Sequence, residues 1–243
     1  MTKLSVNLNA VAYLRNRRDV PWPDLTSMAR LVLDAGAAGI TVHPRPDERH
    51  IRRSDVKELT ALLRDEYPAA EFNIEGYPTA DFFSLVANAQ PTQVTLVPDH
   101  PDQSTSDHGW DIEADEDFLR TETAKYRNLG CRVALFVDPV PHNADLAKTV
   151  GADRIELYTG PYGAAQDNQT IQNELELLAT TAERANALEK LKVNAGHDLN
   201  AENLKTLTDR IPNIAEVSIG HGITTDALSV GFPEAVRMYL GAL

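Results

Sequence analysis

The stretch NLGCRVALFV, residues 128–137, contains the local pattern that decides the fold of this chain. A helical stretch ends, Gly130 makes a turn, and a continuous apolar run follows, as is typical of a parallel strand buried on both faces. The same order occurs in DAGAAGITV, residues 34–42, and in TVGADRIEL, residues 149–157, with Gly36 and Gly151 at the turns. This repetition indicates that one helix-turn-strand unit recurs along the chain.

Eight short apolar runs of this kind are spread over the chain, at residues 4–8, 39–42, 71–74, 93–97, 132–137, 154–157, 191–194 and 216–219. Helical patterns lie between them, for example over residues 24–35, 54–66, 115–129, 170–188 and 200–207. Asp24, Ser54 and Asn200 are the predicted N-caps. Dividing 243 residues by eight gives about 30 residues per unit, the size of one βα step.

The pattern therefore predicts the α/β class, with a single (β/α)8 TIM-barrel domain over residues 1–243 and additional short helices. An open, doubly wound parallel sheet is the structural alternative. No GxGxxG motif follows the first predicted strand, which disfavours the dinucleotide-binding form of that alternative.

Composition and charge narrow the functional class. The 23 basic and 36 acidic residues give a net charge of −13, which disfavours nucleic acid as a partner. Cys131 is the single cysteine, so neither an intrachain disulfide nor a multi-cysteine metal site is expected. The longest apolar run found, residues 133–137, is about a quarter of a membrane span, and the N-terminus shows no signal-peptide core. We expect a cytoplasmic protein that does not bind membranes.

Histidines gather where several predicted strands end. His43, His50, His197 and His221 lie at or near the carboxyl ends of three of these strands. The carboxyl ends of barrel strands meet at one face. A single histidine there is more often a packing residue, but a cluster favours a pocket for successive proton transfers.

Two glutamates are candidates for the same pocket. Glu75 ends the strand EFNIE and is either a surface carboxylate or a base whose pKa rises in a partly dehydrated barrel mouth. Glu156 lies within the strand IEL, where a buried carboxylate needs a cationic or hydroxyl partner.

A phosphate group is predicted to be the part of the substrate that the protein binds. Arg18, Arg45 and Arg52 lie in early loops, although Arg52 is equally well explained as part of a solvated helix start. The run IGHGI, residues 219–223, brings glycine and a helix N-terminus together, as in barrel phosphate sites. The polar residues 98–111 form either a lid or binding loop, or an ordinary solvated loop.

Two other kinds of chemistry are disfavoured. The sequence lacks HxH and HExxH spacings, so we expect no metal. None of the seven lysines falls at the carboxyl end of a predicted strand, which argues against a Schiff base formed by the protein.

Seven segments together resemble the pyridoxine 5'-phosphate synthase family: VNLNAVAYLRNRR, GITVHPRPDERHIR, EFNIEGYP, QVTLVPDHPDQSTSDHGWD, IELYTGPY, KVNAGHDLN and EVSIGHGI. The resemblance implies condensation of 3-amino-2-oxopropyl phosphate with 1-deoxy-D-xylulose 5-phosphate to pyridoxine 5'-phosphate, phosphate and water. It implies a homo-octamer with small-molecule phosphorylated substrates and no metal or organic cofactor.

The resemblance also implies roles for individual residues. His43 corresponds to the first catalytic base, Glu75 to the second and His197 to the proton donor. Glu156 is expected to orient the reacting groups. The substrate-binding positions correspond to Asn7, Asn9, Arg18, Arg45, His50, Thr105, Asp198, Gly220 and His221.

Three positions depart from the best-known members of that family. Asn9 replaces an aspartate, a change that another branch of the family shares. Ala10 removes a polar side chain from the strand 1 motif, which puts one substrate contact in doubt. Asp198 replaces a glycine, a change of little consequence if only its backbone N–H is used. Two alternatives stay open: a sugar-phosphate isomerase or aldolase acting on one substrate, and a barrel that binds phosphates without turnover.

Overall fold

A computed structural model describes residues 1–99, 103 and 105–243 of the chain. Within these residues, eight parallel strands close into a barrel in chain order, with the first strand paired to the last. The strands are β1 (Lys3–Asn7), β2 (Gly39–Val42), β3 (Glu71–Gly76), β4 (Gln93–Leu96), β5 (Arg132–Val137), β6 (Arg154–Tyr158), β7 (Lys192–Gly196) and β8 (Ile214–Ile219). The closed order confirms the predicted TIM barrel and excludes the open sheet.

Helices alternate with the strands and cover the outside of the barrel. Those in the described ranges are α1 (Asn9–Asn16), α2 (Leu25–Asp34), α3 (Arg53–Glu66), α4 (Ala80–Ala89), α5 (Glu116–Asn128), α6 (Pro141–Thr149), α7 (Gly160–Ala164), α8 (Asn168–Asn186), α9 (Leu204–Arg210), α10 (His221–Val230) and α11 (Phe232–Gly241). Several are short, as expected. None of them combines the length and apolar character needed to cross a bilayer.

The three glycine turns share one hydrogen-bonding pattern. Gly36, Gly130 and Gly151 have φ angles of 109°, 86° and 87°, which L-residues with side chains rarely adopt. After Gly130, the N–H of Cys131 donates to the carbonyl of Tyr126 at 3.3 Å, and the equivalent bonds of the other two turns measure 3.1 and 3.0 Å. Each turn ends a helix and leads directly into a strand.

One of the three predicted N-caps is confirmed. The Asp24 carboxylate accepts a backbone N–H in the first turn of α2 at 2.7 Å. The prediction of Ser54 as an N-cap is wrong, because Ser54 lies inside α3. The first turn of that helix is capped by Asp55, which accepts the N–H of Arg52. The prediction of Asn200 as an N-cap is also wrong. Its side chain accepts two N–H bonds in a separate turn, and α9 begins four residues later.

The strands are buried on both faces, as expected, but the inner face of the barrel is polar, which corrects the interpretation of the strands as continuous apolar runs. Side chains alternate along a strand, so in β6 Arg154 and Glu156 face inward while Ile155 and Leu157 pack outward against helices. Hydrogen bonds cross the barrel interior: Gln93 donates to Glu216 at 3.2 Å, and Thr95 lies 3.3 Å from Glu156. The alternation is visible in the sequences of other strands too, as in EFNIE of β3 and QVTL of β4.

Glycine substitutions test the close contacts of the barrel. A Cβ on Gly39 would overlap the backbone carbonyl oxygen of Glu71 in β3, whereas a Cβ on Gly130 meets nothing within 4 Å. We expect Gly39→Ala to lower the free energy of unfolding by about 3 kcal/mol and Gly130→Ala by about 1–2 kcal/mol, from backbone strain alone. Gly241→Ala, in open space at a helix end, is the control. Urea unfolding followed by circular dichroism measures all three, and equal losses for Gly39→Ala and Gly130→Ala would contradict the packing argument.

Candidate active site

A cavity of about 970 Å³ opens at the carboxyl ends of the barrel strands. Nearly all the predicted site residues line it: Asn7, Asn9, His43, Arg45, His50, Glu75, Thr105, Glu156, His197, Asp198, Gly220 and His221. Ala10 also lines the cavity, and Arg17 lies at its edge. Arg18 is exposed and does not belong to the lining. The expectation that His43, Glu75 and His197 share one cavity is confirmed.

His43 directly follows β2 and is held by the asparagines of the first strand end. Its backbone N–H donates to Asn9 Oδ1 at 2.9 Å, and the N–H of Asn9 donates to Asn7 Oδ1 at 2.9 Å. Burial, together with the positive charge of Arg45, holds the pKa of His43 well below its ordinary value. His43 is therefore a neutral imidazole with the capacity to accept a proton.

Asp99 is a buried carboxylate of the site that sequence reasoning did not assign a role. Its Oδ2 accepts hydrogen bonds from Arg45 and from Ser106, the latter at 2.8 Å, and lies 3.8 Å from Nε2 of His43. Burial raises its pKa even though Arg45 lowers it. The available signal was its position just after a strand, the same signal that identified His43.

Asp99 lies in the polar segment predicted as a lid or binding loop. Residues 100–102 and 104 of that segment lie outside the described residues. Within the described part, Gln103 contributes its carbonyl to Arg45 at 3.0 Å, and Thr105 reaches His197. The described part of this segment therefore contacts two sides of the cavity.

Burial raises the pKa values of both Glu75 and Glu156. Burial, with Glu156 and Asp99 nearby, raises the pKa of Glu75 well above its ordinary value. Burial and the charge of Glu216 raise the pKa of Glu156 to about 8. Glu156 therefore favours the protonated form near neutral pH.

Thr95 is the hydroxyl partner of Glu156. Its Oγ1 lies 3.1 Å from Asn73 Oδ1 and 3.3 Å from Glu156 Oε2. One hydroxyl hydrogen serves only one of these acceptors, so the second contact is satisfied when Glu156 carries a proton and donates it to Thr95. The Glu156 carboxyl fits beside Gly196, where a Cβ would stand 2.5 Å from Oε1. This arrangement agrees with the partner predicted for Glu156.

His197 sits on a backbone turn of unusual conformation. His197 and Asp198 have φ angles of 90° and 55°, and such conformations cost about 1–3 kcal/mol each for residues other than glycine. The Thr159 hydroxyl lies within hydrogen-bonding distance of the carbonyl oxygens of Gly196 and His197 and donates its one hydrogen to either of them, which holds this turn. The turn aims the imidazole at Thr105, whose Oγ1 lies 2.9 Å from Nε2.

Asp198 and Tyr158 contact the other parts of the His197 ring. Asp198 Oδ2 lies 3.0 Å from Nδ1, and the ring of Tyr158 meets the imidazole edge-on at 5.2 Å between centroids. Asp198 has a positive φ angle, which aspartate tolerates better than most residues.

The N-terminus of α10 forms another wall of the cavity. Gly220 is its N-cap and His221 its first residue, and the helix has no side-chain cap. Its first backbone N–H groups lack partners within the helix, and the helix dipole favours negative charge there. The arrangement suits an anion such as phosphate. In the described residues, no group of three or more histidine, cysteine or acidic side chains is arranged to hold a metal ion.

A closed TIM barrel with a large cavity at its carboxyl-terminal face defines the class of barrel enzymes, whose active sites lie at that face. The family model described as "Pyridoxal phosphate biosynthesis protein PdxJ" matches residues 4–243. The chain belongs to this family of biosynthetic enzymes.

Named relatives agree with the family match. The chain is 57% identical over 242 residues to a pyridoxine 5'-phosphate synthase of Brucella abortus (strain S19), covering 99% of this chain and 98% of the relative. It is 57% identical over 243 residues to the protein of the same name from Chelativorans sp. (strain BNC1), with the same coverage.

Solved structures with low sequence identity share the fold alone. Thiamine phosphate pyrophosphorylase from Pyrococcus furiosus superposes with a TM-score of 0.63 at 14% identity, over 99% of this chain and 94% of that chain. A phosphoribosyl anthranilate isomerase complex gives a TM-score of 0.58 at 12% identity, over 100% and 98% of the two chains.

The proton on Glu156 predicts a pH-dependent stability. The folded-state pKa of about 8 lies above the ordinary value of 4.5, so the free energy of unfolding falls as pH rises between these values. Glu156→Gln mimics the protonated acid, so the variant does not show this fall in the free energy of unfolding as pH rises. We expect its stability relative to the wild type to be higher at pH 8 than at pH 5 by more than about 1 kcal/mol.

Glu71→Gln is the control for that measurement. Although burial raises the pKa of Glu71, hydrogen bonds from Lys3 and Arg132 lower it to about 2, so the group is ionised throughout this pH range. Its relative stability should not change from pH 5 to pH 8. Chemical unfolding at both pH values measures the effect, and a pH-independent difference for Glu156→Gln would contradict the protonated state.

Proposed function

We propose that the protein condenses 3-amino-2-oxopropyl phosphate with 1-deoxy-D-xylulose 5-phosphate to form pyridoxine 5'-phosphate, phosphate and water. The observation that carries this proposal is the single cavity of about 970 Å³ shared by His43, Glu75 and His197. Its volume is at the upper end of the range for small-molecule sites, so it has room for two phosphorylated molecules. Membership of the family and the names of the relatives support the same reaction.

In the proposed mechanism, three residues move protons. His43, neutral because of burial, accepts a proton from the substrate amine as it attacks a carbonyl. Glu75 is the second base, and burial makes its ionised form a stronger base than an exposed glutamate. His197 donates a proton to a hydroxyl that leaves as water. Glu156 orients the reacting groups from the barrel interior, and the steps need no metal or organic cofactor.

The binding residues divide between two sides of the cavity. The backbone N–H groups of Asp198, Gly220 and His221 would hold one phosphate, supported by the N-terminus of α10. Arg45 and His50 would hold the other substrate together with Thr105, Asn7 and Asn9. Arg18 is assigned a binding role from the family resemblance alone, since it does not line the cavity.

Location and assembly complete the proposal. We propose a cytoplasmic homo-octamer, as the family resemblance implies, without nucleic-acid or membrane partners. The net charge of −13 supports the absence of nucleic acid. Exposed apolar side chains, among them Trp22 and Leu228, support self-association.

A two-substrate assay tests the reaction. Purified protein is mixed with both substrates, and inorganic phosphate and the fluorescent pyridine product are followed. We expect Glu75→Gln and His197→Ala each to suppress product formation by more than about a hundredfold, because each removes a positioned acid–base group, with little change in thermal stability. Retained turnover in either variant would refute its assigned role.

The controls separate the proposal from its two alternatives. His142→Ala changes an exposed histidine outside the cavity lining and should leave the rate unchanged. Turnover of one phosphorylated substrate without the amine would indicate a sugar-phosphate isomerase or aldolase. Phosphate binding without phosphate release would indicate a silent binding barrel.

A further inference from the structure

The irregular segment at residues 44–52 carries His50 into the cavity wall. It connects β2 to α3 and contains neither helix nor strand. Its backbone carbonyls therefore need donors from elsewhere, since buried polar groups without partners are costly. The position of His50 therefore depends on the hydrogen bonds that these backbone carbonyls accept.

Asn16, the last residue of α1, supplies those donors. Its Nδ2 lies 3.1, 3.2 and 2.7 Å from the carbonyl oxygens of Glu48, Arg49 and His50. Its Oδ1 accepts hydrogen bonds from Nε and Nη2 of Arg15, both at 3.0 Å. Because a guanidinium only donates, these bonds identify which amide atom is oxygen and aim the amino group at the three carbonyls.

A buried ion pair holds this arrangement against α3. Arg15 donates to both carboxylate oxygens of Asp55 at 2.6 and 2.9 Å, with side-chain exposures of 9% and 6%. The same guanidinium donates to the carbonyl of His50 at 3.2 Å, and Asp55 accepts the N–H of Arg52 at 2.7 Å. Such a two-point pair between two helices is geometrically specific.

The imidazole of His50 is fixed by its own backbone. The N–H of the fully buried Ile51 donates to Nδ1 of His50 at 2.9 Å. Burial and the charges of Arg45 and Arg49 lower the pKa of His50 to about 4. In this neutral ring Nδ1 is the acceptor, so the hydrogen is on Nε2, which is the nitrogen left to meet a ligand.

We propose that Arg15, Asn16 and Asp55 are positioning residues that fix the backbone around His50 so that its Nε2–H donates to a substrate. A neutral donor suits a hydroxyl or carbonyl oxygen of the sugar-phosphate chain rather than the charge of a phosphate. The inference deepens the proposed function and rests on it for the identity of the substrates.

Asn16→Asp is the sharpest variant, because it keeps the shape of the side chain and replaces the donor by an acceptor facing three carbonyls. We expect faster hydrogen–deuterium exchange in peptides covering residues 44–53 in the ligand-free protein. We expect KM for one of the two substrates to rise about tenfold, with kcat changed less than about threefold. Asn16→Ala, which adds no charge, is the second variant if Asn16→Asp does not fold.

Two controls separate positioning from general damage. Asn186→Asp makes the same change at the exposed last residue of α8 and should alter neither exchange nor KM. In a His50→Ala background, Asn16→Asp should cause no further rise in KM, because the residue through which it acts is gone.

The outcomes distinguish this inference from the proposed function. An equal KM effect of Asn16→Asp with and without His50, or unchanged exchange at residues 44–53, would overturn the positioning role. Absence of pyridoxine 5'-phosphate formation by the wild type would instead overturn the proposed function, and the exchange measurement would still decide whether Asn16 holds the segment.

Discussion

The site depends on one constraint: the carboxyl groups inside the barrel are buried away from water. At the amino end of the strands, Glu71 is met by Lys3 and Arg132 and stays ionised, with a pKa of about 2 despite burial. Toward the carboxyl end, Glu156 has a hydroxyl partner and the negative charge of Glu216, so burial raises its pKa to about 8. The barrel therefore has an ion-paired carboxylate at the amino end of its strands and a protonated carboxyl group in its interior, beneath the cavity.

Helix α1 connects the cavity to the surrounding loops. At its start, Asn9 accepts the N–H of His43, and at its end Asn16 holds the backbone around His50. The two imidazoles lie 6.0 Å apart between ring centroids. One rigid helix thus sets the positions of both histidines, which explains how an irregular loop can form part of an ordered site.

Much of the fold and the site could be predicted from local sequence patterns. The glycine turns and repeated strands predict the barrel, and residues just after the strands, such as His43 and Glu75, predict the cavity. The polar inner face was missed because the strands were interpreted as continuous apolar runs, although strands such as β3 and β4 alternate polar and apolar residues. The bonds of Asn16 were missed because they join residues more than 30 positions apart and form only when α1 packs beside the segment before α3.

The central claim is that the buried Glu156 carboxyl carries a proton at neutral pH. Infrared spectroscopy of the carboxylic acid C=O stretch tests it directly in the wild type and in Glu156→Gln, with Glu71→Gln as the control. The account predicts a protonated-carboxyl band at pH 7 that loses a distinct part in Glu156→Gln and none in Glu71→Gln, whereas ordinary glutamates are ionised at this pH. A wild-type spectrum without that band, or a band unchanged in Glu156→Gln, would contradict it.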